Sequence, residues 1–218
     1  MALAIFDLDN TLIAGDSDHA WGEYLVEKGI VDSEHHQAQN DKFYADYLEG
    51  NLDIYEYLDF SLAPLAKHDK AQLETWRTDF FESKIRPLIL AKGRALIEKH
   101  RNQGDIPLII TATNRFVTQP IANELGIEHL IAIELEETES GYTGKPTGTP
   151  SYKDGKITRL KEWLIKQDTD MSDAYFYSDS HNDLPLLKLV DYPVAVDPDD
   201  ILREHSETHD WPILSLRD

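Results

Sequence analysis

The 218-residue chain contains no cysteine and only 2 methionines. Without thiols it has no disulfide, no thiolate metal site and no cysteine nucleophile, so any bound metal must be held by oxygen or imidazole donors. No apolar run approaches the roughly 20 residues needed to cross a bilayer. The leading Met-Ala-Leu-Ala-Ile-Phe segment also lacks the basic residues that open a signal peptide. These absences lead to the expectation of a soluble, cytoplasmic protein. Positive charge is scarce as well: 21 Lys and Arg stand against 41 Asp and Glu, a formal net charge of −20. Such a field repels DNA, RNA and anionic membranes, which argues against a nucleic-acid or membrane partner. It repels phosphate esters equally, so a phosphate site in this chain needs local positive charge from a metal ion or from a few placed Lys and Arg side chains.

What the sequence does contain is an alternation of short apolar runs and helical periodicities. Runs at 2–6, 106–110 and 174–177 each end in a polar cluster, and apolar residues recur at three- and four-residue spacing over 90–101, 117–125, 157–165 and 184–189. Gly104 and Gly126 follow two of these stretches, where helices commonly stop. Strands alternating with helices imply an α/β fold, with a doubly wound, mostly parallel, Rossmann-like sheet whose ligands bind outside the carboxyl ends of the strands. The three polar clusters would converge there. Residues 16–86 interrupt the alternation with helix formers and aromatics and no strand pattern, and are read as an inserted helical cap, leaving 1–15 and 87–218 as the core. The aromatics of the insertion, Trp21, Tyr44, Phe60 and Phe80 among them, are expected mainly to pack it, with one or two lining a pocket. A hairpin is expected over 134–145.

The strongest local signal is Asp7-Leu8-Asp9-Asn10-Thr11-Leu12, directly after the first run. Two carboxylates two positions apart address one site where a strand ends and the chain turns, and together they suit a hard cation such as magnesium. An EF-hand loop starting at Asp7 is excluded, because Leu12 and Asp18 stand where it requires Gly and Glu. A second cluster, Asp179-Ser180-His181-Asn182-Asp183, follows the third run. At matching strand ends the two clusters make a plausible metal site, provided a divalent ion and a nearby Lys offset the crowding of like charges.

In these residues the chain resembles the haloacid dehalogenase superfamily, in the subfamily IB group that contains phosphoserine phosphatase and the histidinol-phosphatase-like hydrolases. The likeness spans nearly the whole length: Asp7-Leu8-Asp9-Asn10-Thr11 resembles the first motif, Ile109-Ile110-Thr111 the second, Lys156 the third, and Asp179 with Asp183 the fourth. The resemblance implies a magnesium-dependent phosphomonoesterase acting on a small phosphorylated metabolite. Asp7 would be the nucleophile that forms an aspartyl phosphate, and Asp9 the proton donor and acceptor. Thr111 and Lys156 would hold phosphoryl oxygens. Mg2+ would lie on Asp7, the Asp9 carbonyl and Asp179, with Asp183 orienting Lys156 or a metal-bound water. Asp16, Ala112, Arg115 and Asn182 are candidates for contact with substrate. There are departures from phosphoserine phosphatases. The stretch expected to carry a carboxylate-gripping arginine reads Leu58-Asp59-Phe60-Ser61-Leu62, and the glycine pair after the second motif is replaced by Ala112-Thr113-Asn114-Arg115. The latter resembles the histidinol-phosphatase-like group, as do Gly148-Thr149-Pro150 and the terminal Trp211-Pro212-Ile213-Leu214. Asp16 and the missing arginine together suit an amine-bearing, carboxylate-free ester such as histidinol phosphate. The rival readings are phosphoserine hydrolysis, phosphoryl transfer to a second substrate, and a catalytically silent metabolite-binding protein. The last has no use for Asp9 beside Asp7.

Overall fold

In a computed structural model that describes residues 2–217, the first strand, β1 (Leu3–Phe6), is buried on both faces. It pairs in parallel with β2 (Ile106–Asn114) on one side and with β5 (Tyr175–Ser178) on the other. Next to β2 lies β3 (His129–Thr138), parallel to it, and β4 (Gly141–Thr147) closes that edge antiparallel to β3. On the other side β6 (Tyr192–Val196) and β7 (Ile213–Leu214) continue the parallel order beyond β5. The sheet order is β4-β3-β2-β1-β5-β6-β7.

A parallel strand covered on both faces reads as a continuous apolar run, which is why residues 3–6 show no polar alternation. The alternation reappears in the packing. Ala4, Phe6 and Ile109 enter one hydrophobic cluster, whereas Leu3, Ile5, Leu108 and Ile110 enter a second. The first layer takes Ile97 of α5 (Ala91–Gln103) and Phe116, Val117 and Ile121 of α6 (Arg115–Glu124). The second takes Leu160 and Leu164 of α7 (Asp154–Gln167), Leu186 and Leu187 of α8 (Leu184–Leu187), and Leu202 of α9 (Asp200–Thr208). Helices on both faces of the sheet make the fold doubly wound.

Between β1 and α5 the chain forms α1 (Ser17–Glu27), α2 (Ser33–Leu48), α3 (Ile54–Ser61) and α4 (Lys70–Phe80), with no named strand among the described residues of this span. The segment leaves and re-enters the core side by side: Ala14 N donates to the Leu88 carbonyl at 2.8 Å and Leu90 N to the Leu12 carbonyl at 3.1 Å. Trp21, Tyr24, Leu58 and Phe80 join the hydrophobic cluster that holds Phe116, so the helices lie over the α6 side of the sheet and its carboxyl end. Among the described residues no helix is long and apolar enough to cross a membrane.

Several elements differ from the sequence-based expectation. β2 does not stop at Ile110 but runs on through Asn114, with irregular pairing to β3 between Ile110 and Asn114. Thr111 and Thr113 therefore lie within a strand. The hairpin is real, but its first arm starts at His129 and pairs parallel with β2 before turning back into β4. The helix expected over 184–189 is a 3-10 turn, His181–Asp183, followed by the single turn of α8. β6, α9 and β7 were not evident in the apolar spacing.

One close approach fixes the start of α7. A Cβ on Gly155 would sit 2.0 Å from the Pro150 carbonyl oxygen, a distance no side chain tolerates, so only glycine lets the chain pack there and present the next residue, Lys156, inward. Gly155→Ala is expected to destabilise the protein by about 1–3 kcal/mol, lowering Tm by roughly 3–10 °C. Thermal unfolding of the two proteins checks this, and an unchanged Tm would show that the Pro150 turn moves freely.

Candidate active site

The carboxyl ends of β1, β2 and β5 bring together the expected clusters. Asp7 leaves β1 with its backbone N–H bonded to the Tyr177 carbonyl at 2.9 Å, which ties it to the neighbouring strand. From the first turn of α7, Lys156 Nζ donates to Asp7 Oδ1 and to Asp183 Oδ2, both at 2.7 Å, and the Ser178 hydroxyl donates to Asp183 Oδ2 at 2.7 Å as well. Asp7, Lys156 and Asp183 are all buried. Positive φ at Asn10 lets the loop after β1 turn back, and Thr11 Oγ1 then reaches Asp179 Oδ1 at 3.1 Å.

Asp9 is held from two sides. Its Oδ1 accepts from Ser17 N at 2.6 Å, and its Oδ2 accepts from Thr113 Oγ1 at 2.8 Å and from Thr111 Oγ1 at 3.4 Å. Asp16 is the N-cap of α1, with Oδ1 accepting from Asp18 N and His19 N. A cavity opens between these residues and the helices above them. It is lined on the core side by Asp7, Asp9, Thr111 and Ala112, and on the helical side by Asp16, Asp18, Tyr44, Tyr47 and Tyr57.

Two candidates are placed elsewhere. Arg115 does not reach the cavity: its guanidinium is bonded to both carboxylate oxygens of Glu134 at 2.7 Å, to the Gln119 side chain and to the Leu130 carbonyl, because the start of α6 turns it towards β3. The expectation that it contacts substrate is corrected accordingly. Asn182 is buried, but its amide nitrogen donates to the Tyr47 carbonyl at 3.0 Å, which makes it a tie between core and helical segment. Nearby, Lys153 Nζ donates to the Gly50 carbonyl at 2.6 Å.

With this geometry in view, similarity to known proteins becomes informative. A family model described as haloacid dehalogenase-like hydrolase matches residues 4–188. The chain belongs to that family. A Neisseria meningitidis serogroup C protein named histidinol-phosphatase is 48% identical over 219 residues, covering 99% of both chains. A solved structure of a Bordetella pertussis protein of unknown function shares the fold at TM-score 0.93 and 38% identity, covering 99% of this chain and 98% of that one. A phosphoserine phosphatase solved as an analogue of its phospho-aspartyl intermediate is similar in fold at TM-score 0.72 and 17% identity, covering 99% and 93% of the two chains. Within the haloacid dehalogenase-like hydrolases the chain is a phosphatase.

The electrostatics of this hydrolase's site follow from burying many carboxylates beside one ammonium. Burial pushes Asp7 up to about 7 against the pull of Lys156, and Asp183 and Asp9 add to the rise. Burial also works against the charge on Lys156, but Asp183 and Asp7 outweigh it and the net shift is upward, so the lysine stays charged. Asp9 is raised to about 6 by burial and by Asp16, with the Ser17 and Thr113 hydrogen bonds pulling the other way. Asp179 is pushed well above the carboxylate range by burial and by the fields of Asp7 and Asp183. Among the described residues no cation pairs with Asp179, and no three His, Asp or Glu side chains form a ready-made metal centre. The expected donor set has only two side chains, Asp7 and Asp179, with the Asp9 carbonyl as third. Asp179, with no cationic partner, beside an Asp7 whose second oxygen is left by Lys156, fits a hard divalent cation.

Sequence reasoning gave no site role to Thr113, Ser17 or Thr11, and it expected one or two aromatics of the insertion at a pocket that Phe43, Tyr44, Tyr47 and Tyr57 line. Thr113 was within reach: two positions from Thr111 on a strand, it faces the same side. The Asp9–Ser17 bond carried no sequence signal.

Asp18 provides a test of these fields. Burial first, then Asp16 and Asp9, raise it to about 8 in the folded protein against 3.8 as its ordinary value. A carboxyl raised on folding contributes fully below the unfolded value, and that contribution is lost as pH rises towards 8. In chelator, Asp18→Asn is expected to match the native protein near pH 4 and to exceed it by on the order of 5 kcal/mol near pH 8. Denaturant unfolding across that range checks it, and a pH-independent difference would contradict it.

Proposed function

We propose that the protein is a Mg2+-dependent phosphomonoesterase that hydrolyses histidinol phosphate through an aspartyl phosphate on Asp7. The observation that carries this reading is the cavity itself. It opens onto a lysine-held carboxylate at one end, while its other end is walled by Asp16, Asp18 and tyrosines with no Lys or Arg among the lining residues described. An ammonium or imidazolium group is welcome there, whereas the carboxylate of phosphoserine would meet Asp16 and Asp18 with no Lys or Arg to bind it. The name of the Neisseria relative supports the same substrate.

Each residue has a task that its position supports. Lys156 engages Asp7 Oδ1, which orients the carboxylate so that its other oxygen attacks phosphorus, forming the acyl phosphate and breaking the bond to the leaving oxygen. Asp9, raised to about 6, carries its proton in part near neutrality and donates it to that oxygen, releasing the alcohol. It then takes a proton from the water that attacks phosphorus, which returns Asp7 as carboxylate and frees phosphate. Ser17 N and Thr113 Oγ1 keep Asp9 aimed throughout. The Thr111 hydroxyl, bound to Asp9 only at 3.4 Å, is free to turn to a phosphoryl oxygen, and Lys156 stabilises a second. Mg2+ on Asp7, the Asp9 carbonyl and Asp179 would supply the positive charge that screens carboxylate from phosphate. Asp183 positions Lys156. Residues 16–86 act as a cap that closes over the substrate and excludes water, with the Tyr47–Asn182 and Gly50–Lys153 contacts as its latch.

Phosphate release from histidinol phosphate, phosphoserine and unrelated esters, with Mg2+ or chelator, tests the proposal. Histidinol phosphate is expected to exceed phosphoserine at least tenfold in kcat/KM. Chelator should abolish turnover, and Asp7→Asn should lower it by at least about 1000-fold. Equal turnover of unrelated esters, or activity surviving Asp7→Asn, would refute it.

A further inference from the structure

The mechanism leaves one buried carboxylate of the cavity without a task. Asp18 is 8% exposed, lines the cavity and stands in the first turn of α1. An acid at that place is ordinarily explained by the helix dipole, but the dipole's contribution is smaller than the penalty for withdrawing a charge from water. Nor is Asp18 needed as a cap, because Asp16 already accepts from the N–H groups of Asp18 and His19 at 2.9 and 2.8 Å.

The surroundings hold this carboxyl in place and offer it no cationic partner among the described residues. Asn114 caps α6 through its side-chain oxygen, which accepts from Val117 N at 3.1 Å, and that bond turns the amide nitrogen towards Asp18 Oδ1 at 3.3 Å. Tyr57 of α3 lines the cavity with Asp18, and its hydroxyl acts on the Asp18 carboxyl. Residues from α1, α3 and the β2–α6 junction thus converge on one carboxylate, and every donor they offer is neutral. Among the described residues no Lys, Arg or His forms an ion pair with it. The cavity is also lined by Phe43, Leu52, Ile54 and the ring of Tyr57, with His19 and Asn40. An acid in a cavity with aromatic walls is the complement of a flat ring with an N–H donor or a positive charge.

Asp18 shares this cavity with the nucleophile: Ser17, its chain neighbour, donates its N–H to Asp9 at 2.6 Å, while the Asp18 side chain itself is bonded at the β2–α6 junction. We infer that Asp18, held by Asn114 in the cavity that Tyr57 lines, is the specificity-determining acid that receives a protonated or N–H-bearing heteroaromatic ring of the leaving group. The inference rests on the proposed function and deepens it. It assigns the imidazole of histidinol phosphate to a carboxylate outside the four motifs.

The test compares three esters that share an ethanolamine phosphate skeleton: histidinol phosphate, phenylalaninol phosphate with a ring of similar size and no N–H, and ethanolamine phosphate with no ring. The native protein is expected to favour histidinol phosphate over phenylalaninol phosphate at least 30-fold in kcat/KM. In Asp18→Asn that ratio should fall below about 3-fold, chiefly through KM, with a loss for ethanolamine phosphate at least tenfold smaller than for histidinol phosphate. Tyr57→Phe should move the ratio in the same direction by a smaller factor. Calorimetric binding of histidinol itself supplies a readout independent of turnover, and Asp18→Asn should weaken it at least tenfold while phenylalaninol binding changes little. A preserved ratio in Asp18→Asn, or equal losses on all three esters in a variant that melts no lower than the native protein, overturns the assignment. If the native protein fails to hydrolyse histidinol phosphate but binds histidinol in an Asp18-dependent way, the proposed function falls and the subsite stands. If binding is unaffected by the substitution, the subsite falls.

Discussion

The buried ammonium of Lys156, shared at 2.7 Å between Asp7 and Asp183, is the contact on which the rest of the site depends. Taking three charges out of water is expensive, and the arrangement persists only because each is bonded in good geometry; removing one partner from such a group typically costs about 3–5 kcal/mol. Its three members come from the end of β1, the first turn of α7 and the turn after β5, so the contact requires β1 and β5 to be neighbours and α7 to start at the right height. The parallel pairing of Phe6 with Tyr177 meets the first condition, and the close passage of Gly155 over Pro150 meets the second. The Ser178 hydroxyl gives Asp183 a further bond, which leaves the lysine free to serve Asp7.

One lysine does not balance six acids. Asp7, Asp9, Asp16, Asp18, Asp179 and Asp183 crowd the same end of the sheet, and burial raises the pKa of most of them, so that ionising them all calls for further positive charge. The surplus has two outlets that match the proposed chemistry. A divalent cation answers the part around Asp7 and Asp179, and a cationic leaving group answers the part around Asp16 and Asp18. The same surplus that repels phosphate from the protein as a whole thus selects which phosphate ester is held.

How much of this was legible in the sequence varies with the range of the interactions. Three of the four motifs stood out because each combines an apolar run with polar residues at its end, and the parallel sheet followed from that alternation; Lys156, which opens a helix, was found only through the resemblance of the whole set. β6 was hidden by Pro193 in its second position, since proline argues against a strand, and β7 by its length of 2 residues. The extension of β2 was obscured because Thr111 to Asn114 look like a loop by composition, although Thr is at home in strands. Arg115 was misassigned for a different reason: its partner Glu134 is on β3, 19 positions away, and nothing local announces that pair. Asp18 shows the limit most clearly. Its place in a first helical turn is uninformative, and only the convergence of Asn114 and Tyr57 from distant segments shows that it is buried and lines the cavity.

The central claim is that Asp7, aimed by Lys156, attacks phosphorus. Acid-quenching the protein during turnover of histidinol [32P]phosphate and mapping the label by proteolysis tests this most directly. The account predicts an alkali-labile phosphoryl group on the peptide that contains Asp7, absent from Asp7→Asn and reduced in Lys156→Met. Turnover without any covalent label, or label on another residue, would contradict it.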